Sequence, residues 1–562
     1  MSQKENLANR HSHANQAIFY FKSSLLTVKK GVHNLFSGAK RFGKGDNIAD
    51  LPVISFSESD LWNKNDNDQN WILTAGKIQN LRQAVKRING LEIPADQVFS
   101  FWKHIDRPAK YNGYVVGREI REGCIVPTVG GGLCQLSNAL YDAALKANFE
   151  IIERHKHTQI IPGSLAEQDR DATVKWNYVD LRFKAKLSFK IEALIRDEKL
   201  LVAFRSQQEV DQKVGQSKKI TLPSSKLNDC FSCGNFNCDQ HPGAVESKHK
   251  KSITAYILND KWPEFETYIK TKATTGDVII RPKKQISKRL FSAILLRTGN
   301  NIFSTMLKLD KLTAKTLIKQ IPVEATHLVV SQSLLLFLWD EGVFGGRTFD
   351  VLMTRLPIEI IHERLNHAHQ TFPESATLND FRAPQALIKS ENAALTRSRR
   401  VITPHLDIAD IFNNKAILLN WVRPKNVSKK KEGGVNVLFP ASSLGRKGAY
   451  EMRRLAKELG FTVHIAGKAT ESENFWYGLN LVYRENNILE DIGLVVYPAY
   501  IEHQPRLLLR AIAAGIPVIT TSACGLAAGD GVTIVEAGDY EALKMAVEAQ
   551  LLTLHANAEI FG

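Results

Sequence analysis

The stretch Gly130-Gly-Gly-Leu-Cys-Gln-Leu-Ser137 carries the densest structural signal in the chain. Three consecutive glycines let the backbone enter conformations closed to other residues, or approach a neighbour closely. Leu136, Leu140, Ala144 and Leu145 then recur at helical spacing, with Ala139, Ala143 and Ala147 as strong helix formers. The pattern places Cys134 in the first turn of a helix entered from a glycine turn. Unpaired N–H groups and the positive end of the helix dipole meet at such a position, and both stabilise a thiolate. Two readings of Cys134 stand side by side: an activated nucleophile, or a small buried thiol packed beside the turn.

Downstream comes Glu150-Ile-Ile-Glu-Arg-His-Lys-His157. Read as a strand, it puts Ile151, Glu153, His155 and His157 on one face and Ile152, Arg154 and Lys156 on the other. Paired with Cys134, either histidine can act as base, with Glu153, Asp171 or Asp180 orienting the imidazole. The His-x-His spacing also suits a metal, with Cys134 or a carboxylate as third ligand. Residues 76–208 read as one α+β domain around this block. A helix is expected at Leu81–Ile88, followed by a turn and then loops with short helical segments up to the glycines. Strands are expected at Phe149–Arg154, Ala172–Trp176, Leu181–Phe183, Ser188–Ile195 and Leu200–Phe204.

Further blocks flank the glycine turn in a fixed order: Phe99-Ser-Phe-Trp102, Gly113-Tyr114 with Gly117, Leu140-Tyr141, Glu153-Arg154-His155 with His157, Asp171-Ala-Thr-Val174, Asn177-Tyr178 and Asp180-Leu181. In these residues the segment from about 79 to 205 resembles the VanW family, named after an accessory protein of vancomycin-resistance clusters. The resemblance implies a link to the cell envelope and supplies no reaction. The reaction follows from local chemistry instead. Cys134 attacks an amide or peptide-like bond, His155 or His157 serves as base, and backbone N–H groups from Gly132 to Gln135 form the oxyanion hole.

Residues 209–250 read as a linker, and they hold Cys230-Phe-Ser-Cys233-Gly-Asn-Phe-Asn-Cys238-Asp-Gln-His241. Three thiolates and an imidazole at C-x2-C-x4-C-x2-H spacing can wrap one tetrahedral ion. Structural zinc is the first expectation for Cys230, Cys233, Cys238 and His241, an iron–sulfur cluster the second. Reduced linker thiols are the plain alternative.

From about residue 252 strands and helices alternate. Strands are expected at Ile253–Leu258, Asp277–Ile280, His327–Ser331, Phe349–Thr354 and Val401–Thr403. After a basic, glycine-containing break they resume at Val435–Phe439, Thr462–Ala466, Leu494–Tyr497, Pro517–Thr520 and Thr533–Val535. Helices are expected at Ala449–Leu459, Arg506–Ala514 and Asp539–Thr553. Such alternation predicts two Rossmann-like halves, 251–424 and 425–562, with parallel sheets covered on both faces. Ser443-Leu-Gly-Arg446-Lys447-Gly448 follows a strand and precedes a helix, a turn suited to a diphosphate. Glu502 to Val518 resembles the donor-binding E-x7-E region of retaining GT-B glycosyltransferases, and residues from about 252 to 557 resemble that architecture. The resemblance implies a nucleotide-sugar donor held by Arg446, Lys447 and Glu502. The second glutamate of the pattern falls on Arg510, a donor-only cation that cannot accept ribose hydroxyl protons.

The bulk numbers bound these readings. The chain has 562 residues, 44% of them hydrophobic and 23% charged, which is ordinary globular composition for several domains. Six cysteines make no disulfide framework. The net charge of +16 favours anionic partners. In the basic segment 1–75, Leu25, Val28, Val32 and Phe36 share one helical face, which either lies on an anionic membrane surface or packs on the following domain. The start of the chain lacks a secretory pattern, so a cytoplasmic protein, peripheral to the membrane at most, is expected. Basic residues do not interleave with aromatics on one face, so nucleic acid is not an expected partner. The expectation is a multidomain glycosyltransferase-like protein handling a cell-wall or glycan precursor. The alternative is a non-catalytic scaffold that binds a glycan or nucleotide.

Overall fold

The computed structural model describes residues 40–45, 51–62, 68–121, 124–157, 164–208, 252–282, 302–380, 382–424, 436–467 and 471–561, with parts of 17–31. The chain divides into two compact units. One comprises Met1–Thr254 with Ile321–His327 and Glu341–Thr348; the other comprises Ala255–Gln320, Leu328–Asp340 and Phe349–Gly562.

In the first unit, β1 (Val53–Asp60) precedes helix α1 (Asp68–Ile88), β2 (Glu92–Ile93) and β3 (Val98–Ser100). An antiparallel pair, β4 (Val116–Arg121) and β5 (Cys124–Val129), leads through the glycine turn into helix α2 (Cys134–Lys146). β6 (Glu150–Glu153), β7 (Arg182–Lys184), β8 (Phe189–Arg196) and β9 (Lys199–Arg205) complete the unit. One antiparallel sheet has the order β1-β9-β8-β2 and a second β3-β7-β6. Along β8, Phe189, Ile191 and Ala193 are buried while Lys190 and Glu192 are half-exposed, the period-two pattern of a sheet with one face on a core. That core joins Phe149, Phe183, Phe189 and Phe204, with Phe149 and Phe204 stacked at 5.3 Å, to the apolar face of α2. Leu136 and Leu140 of α2 are fully buried, each stabilising the fold by about 1.5–3 kcal/mol. The helix stops at Asn148, whose φ of 55° lies in the left-handed region, with its N–H on the Leu145 carbonyl.

Three expectations need correction. β1 falls in the basic segment 1–75, where no strand is expected, because its apolar residues alternate with Ser and Glu and an Asp/Asn-rich segment follows. β4 and β5 replace the expected loops; their charged residues, Gly117 and Pro127 mask the strand pattern. Ala172–Trp176 is not a strand, since its backbone is taken elsewhere: Ala172 N–H by the Asn138 side chain (2.7 Å) and Thr173 N–H by the His155 carbonyl (2.9 Å).

The second unit is built on two six-stranded sheets. The first comprises β10 (Ile253–Ile257), β11 (Val278–Ile280), β12 (Ala325–Ser331), β13 (Thr348–Leu352), β14 (Arg400–Thr403) and β15 (Ala416–Leu418), in the order β11-β10-β12-β13-β14-β15. The second comprises β16 (Asn436–Phe439), β17 (Val463–Ile465), β18 (Leu481–Tyr483), β19 (Ile492–Tyr497), β20 (Val518–Thr521) and β21 (Val532–Val535), in the order β18-β17-β16-β19-β20-β21. Every pair in the second sheet is parallel. β19 is buried along its whole length, as a central parallel strand must be. The strand order reverses between β16 and β19, so the loops leaving their carboxyl ends open a crevice at that point. The alternation read from the sequence matches these strands, with β15 and β18 added.

Candidate active site

The glycine turn delivers Cys134 to the first residue of α2. Gly132 has φ of +100°, and a Cβ there would run into the Lys77 side chain. Gly131 lies against the Gly117–Arg118 backbone, where a Cβ would come within 2.7 Å of the Gly117 carbonyl. Buried Asn80, on α1, fixes the turn. Its amide donates to the carbonyls of Val115 (3.0 Å) and Gly131 (2.9 Å), and its oxygen accepts from Val115 N–H (2.8 Å). The Gly131 and Gln135 N–H groups are satisfied within the turn, by Thr128 and Gly132 carbonyls. Those of Leu133 and Cys134 donate to no protein group among the described residues. Gly132 N–H is likewise without an acceptor among the described residues, so the expected oxyanion donors narrow to Gly132, Leu133 and Cys134. The Gln135 side chain is engaged with Ser59 and the Asp60 carbonyl.

His157 and Asp171 form a hydrogen-bonded pair beside Cys134. His157 Nδ1 lies 2.5 Å from one Asp171 oxygen, and His157 N–H donates to the other at 2.6 Å. The other ring nitrogen is not engaged by Asp171, and Cys134 lies near enough to raise the His157 pKa. Burial alone would push the imidazole pKa down. The hydrogen bonds and charges of Asp171 and Cys134 outweigh it and hold the pKa up at about 10. Asp171 is 4% exposed, His157 15%, and Cys134 half-buried. The Cys134 sulfur also lies 3.6 Å from the Thr173 hydroxyl and 3.7 Å from the Val174 carbonyl.

His155 takes a different place. It is 52% exposed and faces Glu153 at 3.5 Å. β6 ends at Glu153, so the face alternation expected of the two histidines does not extend to them. Asp180 is likewise occupied elsewhere, by the Ser100 hydroxyl (2.6 Å) and Arg182 (2.8 Å). No group of three metal-binding side chains occurs among the described residues.

Residues missed in the sequence brace this pair. Ser137 Oγ donates to the Ala172 carbonyl (2.5 Å), and Asn138 Oδ1 accepts Ala172 N–H, so α2 grips the residue next to Asp171. Arg154 donates to the Asp171 carbonyl (2.7 Å) and to Asp169 (3.0 Å) while lying over the Tyr141 ring. The signal was present: Ser137 and Asn138 stand three and four residues after Cys134, on its helix face.

In the second unit, the loops after β16 and β19 meet. Tyr500 and Ile501 N–H groups donate to the Arg446 carbonyl. Lys447 Nζ lies 2.8 Å from Glu502, whose carboxylate also accepts from the Tyr497 hydroxyl (2.5 Å) and Gln504 N–H (2.8 Å). Burial pushes the Glu502 carboxyl up, but Lys447 and these bonds win and hold it at about 2. His503 is pushed down to about 3, chiefly by burial and then by Lys447, and is neutral. Burial also lowers Arg446, against the neighbouring acidic charges. Arg510 stands exposed in the last turn of helix Arg506–Ala513, with no bond to the Lys447–Glu502 pair. Cys230, Cys233, Cys238 and His241, and Val32 and Phe36, lie outside the described residues. Leu25 and Val28 are exposed.

A family model described as VanW like protein matches residues 76–205. The chain is 30% identical over 157 residues to the vancomycin B-type resistance protein VanW of Enterococcus faecalis, covering 27% of this chain and 57% of that protein. It is 32% identical over 105 residues to the uncharacterized protein YoaR of Bacillus subtilis, covering 19% of this chain and 34% of that one. The chain thus spans about half and a third of the length of these relatives. Similar solved structures include sucrose-phosphate synthase of Thermosynechococcus elongatus (11% identity, 55% of this chain and 92% of that one, TM-score 0.35). Others are the lipopolysaccharide outer core galactosyltransferase WaaB (12%, 54% and 90%, TM-score 0.32) and Anabaena HepE in complex with UDP-glucose (12%, 56% and 94%, TM-score 0.29). By family match and strand order together, the chain carries a VanW-like domain at residues 76–205 and, in its C-terminal half, a pair of Rossmann-type sheets.

Proposed function

We propose that the VanW-like domain is a thiol-dependent acyl-transfer or hydrolase module acting on an amide or peptide-like bond of a cell-wall or glycan precursor. The observation that carries this reading is the buried His157–Asp171 pair beside Cys134 at the start of α2. Asp171 holds one ring nitrogen of the imidazole and stabilises its charged form, and the proposed reaction starts from a Cys134 thiolate beside that imidazolium. The Cys134 sulfur attacks the carbonyl carbon. The open N–H groups of Gly132, Leu133 and Cys134 receive the developing oxyanion. His157 passes its proton to the leaving amine, giving a thioester and a neutral imidazole. That imidazole then takes a proton from water or an acceptor nucleophile, which cleaves the thioester and restores the thiolate. The test compares Cys134→Ala, Cys134→Ser, His157→Gln and His155→Ala for hydrolysis of envelope precursors. Loss in the first three with retention in His155→Ala is expected. Unchanged activity in Cys134→Ala overturns the reading.

For the second unit we propose nucleotide-sugar binding at the β16/β19 crevice, with Lys447, Glu502 and Arg446 around the donor. Support comes from the strand-order reversal and from the cationic turn beside it. The exposed Arg510, standing where the resemblance expects a second glutamate, favours the alternative of binding without transfer. A thermal-shift series on the full chain with UDP-, GDP- and dTDP-sugars tests both, because a specific ligand raises the melting temperature with its concentration. No shift with any of them removes the donor reading.

The remaining assignments are proposals on sequence chemistry. The Cys230, Cys233, Cys238 and His241 donor set suits structural zinc over an iron–sulfur cluster, and metal analysis with a visible spectrum decides between them. A cytoplasmic, membrane-peripheral location rests on the basic N-terminal segment.

A further inference from the structure

The β4–β5 ribbon joins neither of the other sheets of the first unit, so each of its strands has an outer edge. The register pairs Val116 with Val129, Gly117 with Thr128 and Arg118 with Pro127. Just past the ribbon, Gly130 N–H donates to the Val115 carbonyl at 2.9 Å. Hydrogen-bonded pairs alternate along an antiparallel ladder, so Gly117–Thr128 and Glu119–Val126 share the bonds and Arg118–Pro127 does not. Pro127, which has no N–H, stands where the ladder needs none. The backbone groups of residues 116 and 118 then point away from β5, and those of 125, 127 and 129 away from β4. Helix α1 closes the first edge: a Cβ on Gly76 would run into the Val116 carbonyl, and Arg118 reaches the Thr74 hydroxyl at 3.1 Å. On the second edge Pro127 is exposed, and Ile125 and Val129 are half-exposed. The N–H groups of Ile125 and Val129 and the carbonyls of Ile125, Pro127 and Val129 meet no partner among the described residues.

We propose that the outer edge of β5 binds substrate as an added strand. An extended peptide pairs its own N–H and C=O groups with Val129, Pro127 and Ile125 and runs on toward Cys134. Edge and thiol are continuous: the chain reaches Cys134 five residues after Val129, and the turn between them offers the open N–H groups of Gly132 and Leu133. Main-chain pairing supplies affinity without regard to side chains and holds the scissile carbonyl in one register beside the sulfur. Pro127 also selects the occupant. A long strand, such as a second copy of this ribbon, meets a missing donor midway, whereas a short peptide pairs at the Val129 end. The proposal names the substrate of the acyl-transfer reading as an extended peptide, and it rests on that reading for the place of the bond that breaks.

The test is calorimetric titration of the full chain with tetraalanine blocked at both ends, in a Cys134→Ala background so that no turnover intervenes. Val129→Pro and Val129→Ala are compared there. Both remove the isopropyl group; only proline removes the outward N–H, and it leaves the ladder to β4 intact. Val129→Pro is expected to bind the peptide roughly tenfold more weakly than Val129→Ala. Ile125→Pro against Ile125→Ala serves the same comparison if Val129→Pro melts early. Equal affinity of the proline and alanine variants, or no binding of the peptide by the background protein, overturns the proposal. So does a dimer in sedimentation that Val129→Pro dissolves, because the edge then belongs to a second copy. Unchanged activity in Cys134→Ala, with the proline-specific loss intact, sinks only the thiol chemistry and leaves the peptide site standing.

Discussion

Protonation of His157 is governed by two partners of opposite kind, a buried carboxylate and a thiol. Its pKa of about 10 lies above the ordinary 6.5, so this ion pair stabilises the fold fully below about pH 6.5 and its contribution fades as pH rises through about 10. The same window sets reactivity. Alkylation of Cys134 by iodoacetamide, followed by peptide-resolved mass spectrometry, reads its reactivity. His157→Gln is expected to slow it at pH 6–7 on the order of tenfold or more. Asp171→Asn is expected to lower the His157 pKa and narrow the window from its alkaline side. An NMR titration of the His157 ring reads this directly, and an unmoved midpoint would contradict the arrangement. At this scale much was legible. The place of Cys134 at a helix start was readable because a glycine turn meets a helical pattern there, whereas the acid beside the histidine was left open among Glu153, Asp171 and Asp180. The choice between His155 and His157 was not readable, because it depends on where β6 stops. Beyond a strand end, sequence spacing no longer says which way a side chain points.

The turn between β5 and α2 shows how an element inherits its shape from its neighbours. Asn80 sits on α1, 51 residues before the Gly131 carbonyl it caps. Asn80→Ala would leave the Val115 N–H and two carbonyls without their partner in a buried place, at a cost of about 2–3 kcal/mol. Gly132→Ala strains a positive φ and drives a methyl group into Lys77, costing about 1–3 kcal/mol. Chemical denaturation measures both. Both variants are also expected to lose rapid Cys134 alkylation while still folded, since the thiol then leaves its alignment with His157. Helix α2 was readable from its alanines and leucines alone. β4 and β5 were not, because a short ladder with charged residues on both faces owes its existence to pairing rather than to propensity. The same holds for 172–176, whose β-branched residues suggested a strand until the α2 side chains claimed its backbone.

Across the second unit, the two Rossmann-type halves are held by a buried contact that local patterns do not announce. Glu264 is 0% exposed in its side chain and pairs with both Arg506 nitrogens at 2.7 Å, with Val422 N–H as a third donor. Trp262 and Trp421 lie against the Arg506 guanidinium at 5.5 and 5.4 Å. Arg506→Ala strands the carboxylate and is expected to destabilise the unit by about 3–5 kcal/mol, whereas the double variant with Glu264→Gln recovers part of that loss; thermal melts separate the two. Burial raises the Glu264 pKa, but Arg506 and the backbone donors bring it below the ordinary 4.5. The pair's contribution is therefore present above about pH 4.5 and disappears as pH falls through the lowered value. The sheets themselves were legible, because parallel strands buried on both faces read as apolar runs between helices. The antiparallel first unit hid its outermost strand. β1 pairs along seven positions with β9, from Val53 with Arg205 to Asp60 with Lys199, although the family match begins only at residue 76. A recombinant piece cut at that boundary would strip β9 of its neighbour and leave a hydrogen-bonding edge open beside Leu200, Val202 and Phe204. Such a piece is expected to aggregate during expression, and the shortest well-behaved excision of this domain must start upstream of Val53.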